Sequence, residues 1–406
     1  VKFQALCPGV MRTGFFEDPY FKKMDFAAQL PERVWLDVDY VVTESLKALK
    51  GRKVVCIPGG FYWWMCALVN HPWHLWRTGY GLRARRRSLP QGAFGLVERD
   101  QPPVSADFQK DLALMKSVVV TGVSTGIGRA ATIMLVRQGF RVFGTVRKVE
   151  DAADLQAECG DAFTPVVCNV RDDASVREAA KTVEAHLAGQ TLWGLVNNAG
   201  VALVGPLMHV PLQDVRNQMD VNITGLLSVT QAFLPLLGAR LNRSADTIPG
   251  RIVNVSSISG VIALPMFGAY AASKYAVEAI SRSLRTEIAW YDIPVIVIEP
   301  GPIESPIWSK MIDPELYQNT DYERMARVTE AELRRTNEGE ALPVVKASEA
   351  IFHALSDKKP KERYIVNKHP LGRSILTRWI PEKWVDGLLR KRFLKMGIPS
   401  SDAKSR

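Results

Sequence analysis

Cysteine is sparse in this chain. Five occur in 406 residues, at Cys7, Cys56, Cys66, Cys159 and Cys168, with no Cys-x-x-Cys pair. That pattern excludes a disulfide framework and a cysteine-built zinc site, and it fits reduced thiols in a cytoplasmic setting. Long apolar runs are also missing. The most apolar stretch, Phe61 to Trp76, is broken by Asn70, His71, Pro72 and His74. It is shorter than the roughly 20 residues a spanning helix needs, so it reads as an interfacial or packed terminal helix. Neither a secretory signal nor an initiator Met opens the chain. Formal net charge is +10, but no recognition motif accompanies it, which argues against nucleic acid as a partner. The basic residues cluster only at Arg83 to Arg87 and at Leu388 to Lys395, both beside aromatic or aliphatic residues. Such runs read either as a solvated face or as peripheral contact with a membrane surface.

A regular alternation begins at residue 115. Short β-rich runs (117–122, 141–146, 165–170, 192–198, 251–257, 294–300 and 363–367) are separated by helical stretches. Continuous apolar strands alternating with helices predict a parallel sheet covered on both faces, an α/β doubly wound domain over 115–370. Residues 77–114 read as a linker rich in Pro and polar residues, and 371–406 as a basic amphipathic tail. Residues 1–76 repeat the end of the same pattern. "VKFQALCPGVMRT" aligns with "IPVIVIEPGPIES", placing Pro8-Gly9 on Pro300-Gly301 and Thr13 on Ser305. Residues 37–58 align without a gap on 346–367, with Leu46 on Leu355 and Val54–Ile57 on Arg363–Val366. The expectation is a partial, diverged second copy, a truncated tandem copy or fusion remnant. It lacks a Gly-rich loop, a Ser and a Tyr-x-x-x-Lys of its own.

The first strand of the main domain runs into "TGVSTGIGRA". Gly122, Gly126 and Gly128 suit a turn that passes a dinucleotide pyrophosphate close to backbone N–H groups at a helix N-terminus. "YAASK" supplies Tyr270 and Lys274, and Val277, Ile280, Leu284 and Ile288 continue at helical spacing. Four residues apart on a helix, Tyr270 and Lys274 share a face. An ammonium near a phenol lowers its pKa from about 10, and a tuned Tyr exchanges a proton with an alcohol or ketone near neutral pH. Ser257 stands at the end of "RIVNVSS", where strand ends face the ligand crevice and a hydroxyl can bond the reacting oxygen. "NNAG", with Asn197 and Asn198, ends the fourth strand beside the cofactor site, and Asn222 in "DVNITG" offers an amide to a relay water. Taken singly, each of these has a bland reading as a surface pair or a helix cap.

Taken in order, they resemble the short-chain dehydrogenase/reductase family, over Met115 to about Asn367. The resemblance implies a strand order 3-2-1-4-5-6-7 and a nicotinamide cofactor. It implies Tyr270 as general acid/base, Ser257 polarising the carbonyl, Lys274 gripping the ribose and tuning Tyr270, and Asn222 completing the relay. The cofactor would lie along Thr121, Gly122, Ser124, Gly126, Ile127, Gly128, Asn169, Val170 and Asn198. Pro300, Gly301 and the backbone at Ile303 would border its carboxamide. Asn169 departs from the Asp that many members carry before Val; an amide still bonds adenine.

Cofactor choice is read after the second strand, where Thr145, Val146, Arg147 and Lys148 stand in place of an acid. Arg147 can pair with a 2′-phosphate, which favours NADP and leaves NAD open through Glu150 or Asp151. The stretch Ile307 to Pro343 reads as a substrate lid with Trp308, Met311, Leu316, Met325 and Leu333. Such a lid suits a small lipophilic alcohol or ketone, and the resemblance leans toward the steroid- and retinol-type branch. The C-terminal stretch suits membrane-surface access, or packing on the domain or on a second copy in a homo-oligomer. Two alternatives stay open, a 3-oxoacyl thioester reductase and a non-catalytic nicotinamide nucleotide sensor. No metal is expected.

Overall fold

The computed structural model describes residues 5–6, 35–50, 55–56, 115–368 (apart from 242, 245 and 246) and 382–397. The linker 77–114, the apolar stretch Phe61 to Trp76 and the Arg83 to Arg87 run lie outside the described residues. The chain divides into two compact units, Val1–Gln101 with Glu382–Trp384, and Pro102–Pro381 with Val385–Arg406.

The larger unit is built on seven parallel strands. In chain order these are β1 Lys116–Thr121, β2 Phe140–Val146, β3 Phe163–Val167, β4 Gly194–Asn197, β5 Arg251–Val255, β6 Val295–Pro300 and β7 Arg363–Val366. Their order across the sheet is β3-β2-β1-β4-β5-β6-β7, the expected 3-2-1-4-5-6-7. Each overlaps one of the seven β-rich runs; the first three begin one or two residues earlier than expected, and the other four lie within their runs. The sheet is a single layer with helices on both faces. Side chains alternate across a strand, so β1 sends Val118 and Val120 to one core and Val119 to the other. Helices α1 (Gly126–Arg137) and α8 (Val345–Ser356) cover the first face with Ala131, Leu135, Ile351 and Leu355. Helix α3 (Asp173–Leu187) and the segments α5 (Leu226–Phe233) and α6 (Gly268–Glu287) cover the second with Val176, Val183, Phe233 and Leu284. Both faces are dry, which is why the strands read as continuous apolar runs instead of alternating ones.

The long helix α6 carries the Tyr-x-x-x-Lys pair. Its inward face presents Ser273, Lys274, Val277, Ser281 and Leu284, all buried, at spacings of one, three and four. Of the apolar set read from the sequence, Val277, Leu284 and Ile288 are buried and Ile280 is half-buried. A buried polar ladder fixes the helix on the sheet. Asn197 Nδ2 of β4 donates to Asn254 Oδ1 of β5 at 2.9 Å, and Asn254 Nδ2 donates to Ser281 Oγ at 2.9 Å. Amides in a dry core must find partners, so this ladder admits one seating of α6 over β4 and β5.

Between β6 and α8 the expected lid takes shape as two 3₁₀ turns, Pro306–Lys310 and Pro314–Tyr317, then α7 (Glu323–Arg335) and a π turn at Thr336–Glu340. Met311, Met325 and Leu333 are buried there, whereas Leu316 is exposed. Its neighbour Tyr317 is the buried member, one of the largest fully buried side chains of the chain.

In the smaller unit, Ala5–Leu6 and Val55–Cys56 pair in parallel, Ala5 opposite Val55 and Leu6 opposite Cys56. A helix, Val38–Lys50, lies between them in sequence, opened by Asp37 Oδ1 accepting from Asp39 N at 2.8 Å. This is the strand–helix–strand order of β6–α8–β7, with a register one residue off a strict copy. There Val297 faces Arg363, and Ala5, the counterpart of Val297, would face Val54.

Asp172 caps α3. Its Oδ1 accepts from Ala174 N at 2.9 Å and Ser175 N at 3.3 Å. Asp172→Ala should cost about 1 kcal/mol. Thermal unfolding would then show a melting temperature lowered by about 2–4 °C, with turnover unchanged.

Candidate active site

The sheet order turns back between β1 and β4, and in open α/β sheets the ligand crevice lies outside the strand ends at such a point. Two of the first-strand glycines are needed for their backbone. Gly122 has φ +71° and Gly126 φ +58°, both in the left-handed region where a side chain is strained. Gly128 is needed for space, because a Cβ there would sit 2.2 Å from Gly122 O and 2.4 Å from Asn198 Nδ2. Helix α1 then starts with no side-chain cap and no acid in its first turn. Uncapped N–H groups on the positive end of a helix fit an anion such as a pyrophosphate.

Thr121 and Asn198 lock this turn onto β4. Thr121 Oγ1 accepts from Asn198 N and Ala199 N, each at 2.9 Å. Asn198 Nδ2 donates to Thr121 O at 2.9 Å and Gly122 O at 3.0 Å. Both side chains are therefore braces of the cradle wall. Ser124 is exposed on the turn, and Ile127 leans on the core behind it. Ser305 was given no role from sequence beyond its match to Thr13. Its Oγ lies 2.8 Å from where a Gly126 Cβ would stand, so it brings the start of the lid against the Gly-rich turn.

At the far end of β2, Arg147 is exposed and has no ion pair among the described residues. Glu150 and Asp151 are drawn into a 3₁₀ turn at Val149–Ala152. Beyond β3, Asn169 is exposed and its Oδ1 accepts from Arg171 N at 3.2 Å; Val170 is half-buried. Past β6, Gly301 N donates to Val366 O at 2.8 Å, so the Pro300-Gly301 turn leans on β7. Ile303 is buried, and its carbonyl accepts from Trp308 Nε1 at 2.6 Å. Its N–H has no acceptor among the described residues, which leaves a donor for a bound amide.

The reactive group forms where α6 crosses the ends of β5 and β6. Ser257 Oγ donates to Pro300 O at 3.5 Å, accepts from Ser259 N at 3.1 Å and acts on the Tyr270 phenol. Lys274 Nζ lies 5.8 Å from the centre of the Tyr270 ring and donates to Val255 O at 3.0 Å. Here the geometry departs from the sequence expectation of a lowered Tyr pKa. Burial pushes the Tyr270 phenol above its usual range, and only the bond to Ser257 opposes it. The Lys274 ammonium is aimed at a carbonyl, and burial lowers it to about 8 while Glu278 pulls it back up.

Asn222 braces the same edge. It lies in a π turn, Asp220–Gly225, that continues the helix α4 (Leu212–Met219), and it is buried. Its Oδ1 accepts from Val201 N at 2.9 Å, while Nδ2 donates to Val201 O at 2.9 Å and Ser273 Oγ at 3.0 Å. Both amide hydrogens are engaged by protein, so the side chain clasps the loop after β4. Ser273 Oγ passes the tie on to Tyr270 O at 2.7 Å.

Above Tyr270 lies an apolar cluster of Ala202, Val204, Met266, Met311, Tyr317 and Met325, with Tyr270 and Trp308 packed on it. Hydrogen bonds hold this cover to the loop after β4, Val204 N to Met311 O and Gly205 N to Met266 O, each 2.7 Å. The C-terminal helix α9 (Glu382–Gly397) adds Phe393 to the same cluster, while Trp384 and Leu388 are exposed. Packing on the domain is thus one of the two expected roles of that tail. Among the described residues no helix is long and apolar enough to cross a membrane.

Comparison with known proteins agrees with this architecture. The family model for short chain dehydrogenase matches residues 116–315. The chain is 37% identical over 286 residues to the NADPH-dependent 3-dehydrocapnine reductase of Ornithobacterium rhinotracheale, covering 70% of this chain and 99% of that protein. It is 30% identical over 296 residues to retinol dehydrogenase 5 of Homo sapiens, covering 70% and 88%. Among solved structures, a short-chain dehydrogenase from Streptomyces avermitilis matches with a TM-score of 0.53 and 28% identity, over 68% of this chain and 99% of that one. With relatives aligned along nearly their whole lengths and a seven-stranded sheet in the same order, the chain belongs to the short chain dehydrogenase family.

Proposed function

We propose that this chain transfers hydride between NADP(H) and a lipophilic alcohol or ketone, with Tyr270 as general acid/base. The observation that carries the reading is Tyr270 packed against the apolar cover, with Lys274 5.8 Å from its ring and Ser257 acting on its phenol. A ketone oxygen seated between the two hydroxyls would take a hydrogen bond from each, and the raised phenol still holds its proton at neutral pH. The protonated Lys274, close to the Tyr270 ring, stabilises negative charge that develops on the phenol as its proton leaves. Methionines, Trp308 and Phe393 favour an apolar substrate body and keep water from the reacting carbon. The names of two relatives, a 3-dehydrocapnine reductase and a retinol dehydrogenase, point the same way. A 3-oxoacyl thioester reductase remains the second enzyme reading. A non-catalytic sensor is disfavoured by the assembled Ser257, Tyr270 and Lys274.

The nicotinamide cofactor supplies or accepts the hydride. The residues fit such a group: the Gly122–Gly128 turn and the uncapped start of α1 would hold the pyrophosphate, Lys274 the ribose, and Ile303 N–H the carboxamide. Arg147, exposed and without an ion pair among the described residues, supports a 2′-phosphate and hence NADP. The first unit has none of the reactive residues, and we read it as a partial second copy without chemistry. Peripheral membrane contact through the basic C-terminal helix and homo-oligomerisation belong to the same proposal, supported by exposed Trp384 and Leu388 and by the family.

Tyr270→Phe should fold and bind cofactor, while kcat falls by about 10²- to 10⁴-fold. Cofactor fluorescence titration and steady-state assay with steroid, retinoid and fatty ketones check this; full activity would remove the mechanism. Arg147→Ala should raise KM for NADPH by about 10- to 100-fold and leave NADH nearly unchanged, as expected for loss of charged hydrogen bonds. A chain starting at Met115 should keep turnover; loss of activity would make the first unit a working part.

A further inference from the structure

A cluster of ionisable groups lies behind the reactive pair, and the mechanism above does not use it. Glu278 stands one turn after Lys274 on α6, Glu299 on β6 and Arg363 on the edge strand β7. Glu299 is fully buried and Glu278 nearly so, while Arg363 retains 29% exposure through its side chain. Arg363 donates to both carboxylates, through Nη2 to Glu278 Oε2 at 2.8 Å and through Nη1 to Glu299 Oε1. Two acids share one guanidinium in this dry site, so the cluster carries a net negative charge whenever both acids are ionised. Buried charge without a full set of partners is costly, so its retention needs a reason. Lys274 supplies one, because a lone buried ammonium held only by a carbonyl also lacks a counter-charge.

We propose that Glu278, gripped by Arg363 beside Glu299, is a positioning residue that keeps Lys274 charged behind Tyr270. The inference rests on the reading of Tyr270 and Lys274 as the reacting pair. Among the described residues no other acid acts on Lys274. β5 presents only the Val255 carbonyl, and the 3₁₀ turn Ile258–Gly260 has no ionisable side chain. From the other elements packed on α6, α4 and its π turn carry Asp214, Arg216 and Asp220. Arg216 and Asp220 are exposed, and Asp214 acts on Tyr317. Burial lowers Lys274, to about 8 with Glu278 in place, and Glu278 is the charge among the described residues that raises it. Burial likewise pushes the Glu299 carboxyl up to about 7, with Arg363 opposing and Glu278 adding to the rise.

The sign follows from these directions. In the reductive direction Tyr270 and Lys274 must both be protonated, and Tyr270 is held high. On the alkaline side Lys274 is therefore the first to lose its proton, and that loss sets the upper limb of the profile. Removing the negative charge of Glu278 lets Lys274 deprotonate at lower pH.

The test is the pH dependence of kcat for the full chain with NADPH and one apolar ketone, compared with E278Q and E278D. E278Q should move the alkaline limb down by about one pH unit. E278D, which keeps the charge but draws it back by one methylene, should move it the same way by less. E278D also carries the test by itself if E278Q does not fold, as judged by thermal unfolding. A limb that stays in place or moves upward in a folded variant overturns the proposal, even if kcat falls. Full activity in Tyr270→Phe would instead overturn the underlying reading, so the two failures are distinguishable.

Discussion

Lys274 donates to the Val255 carbonyl across 3.0 Å, and with the Asn254–Ser281 bond that contact fixes α6 against β5. The rest of the reactive edge depends on this seating. Tyr270 lies one turn earlier on the same rigid helix, so anchoring Lys274 and Ser281 determines where the phenol stands relative to Ser257. The clasp from Asn222 through Ser273 to the Tyr270 carbonyl pins the other end of that turn. A site built on a helix and strand ends holds its geometry better than one built on loops.

Burial works on this edge in two opposite senses. It raises the phenol of Tyr270 and lowers the ammonium of Lys274, so each neutral form gains when the site is dry. Chemistry at a carbonyl needs a phenol that still holds its proton and an ammonium that is still charged. Burial favours the first and opposes the second. A carboxylate placed one turn beyond Lys274 offsets that second effect, and its cluster is tied across the sheet to the edge strand β7 by Arg363. The apolar cover from the lid and Phe393 makes the site drier and sharpens the same tension.

The polar side chains at strand ends divide into two groups by what they touch. Thr121, Asn198 and Asn222 bond protein backbone, and they hold the Gly-rich turn and the loop after β4 in place. Ser257, Tyr270, Arg147 and the Ile303 N–H make up the other group, those to which the proposed function gives a cofactor or substrate partner. A motif read along the chain does not separate these groups, because both consist of the same residue types at the same strand ends.

The sequence by itself determined the doubly wound sheet and its seven strands, and it singled out the residues of the proposed site. Period and composition are local properties: β-branched runs such as Ser117–Val120, bounded by turns, read as strands dry on both faces, and Gly122 and Gly126 suit a turn. Tertiary structure alone decided which amide braces and which hydroxyl reacts, that Tyr317 and not Leu316 plugs the lid, and that Phe393 from the far end of the chain joins the cover. It also brought Glu278, Glu299 and Arg363 together from three elements. These outcomes depend on burial and on partners distant in sequence, and desolvation, which sets both pKa directions, exists only once the chain has folded.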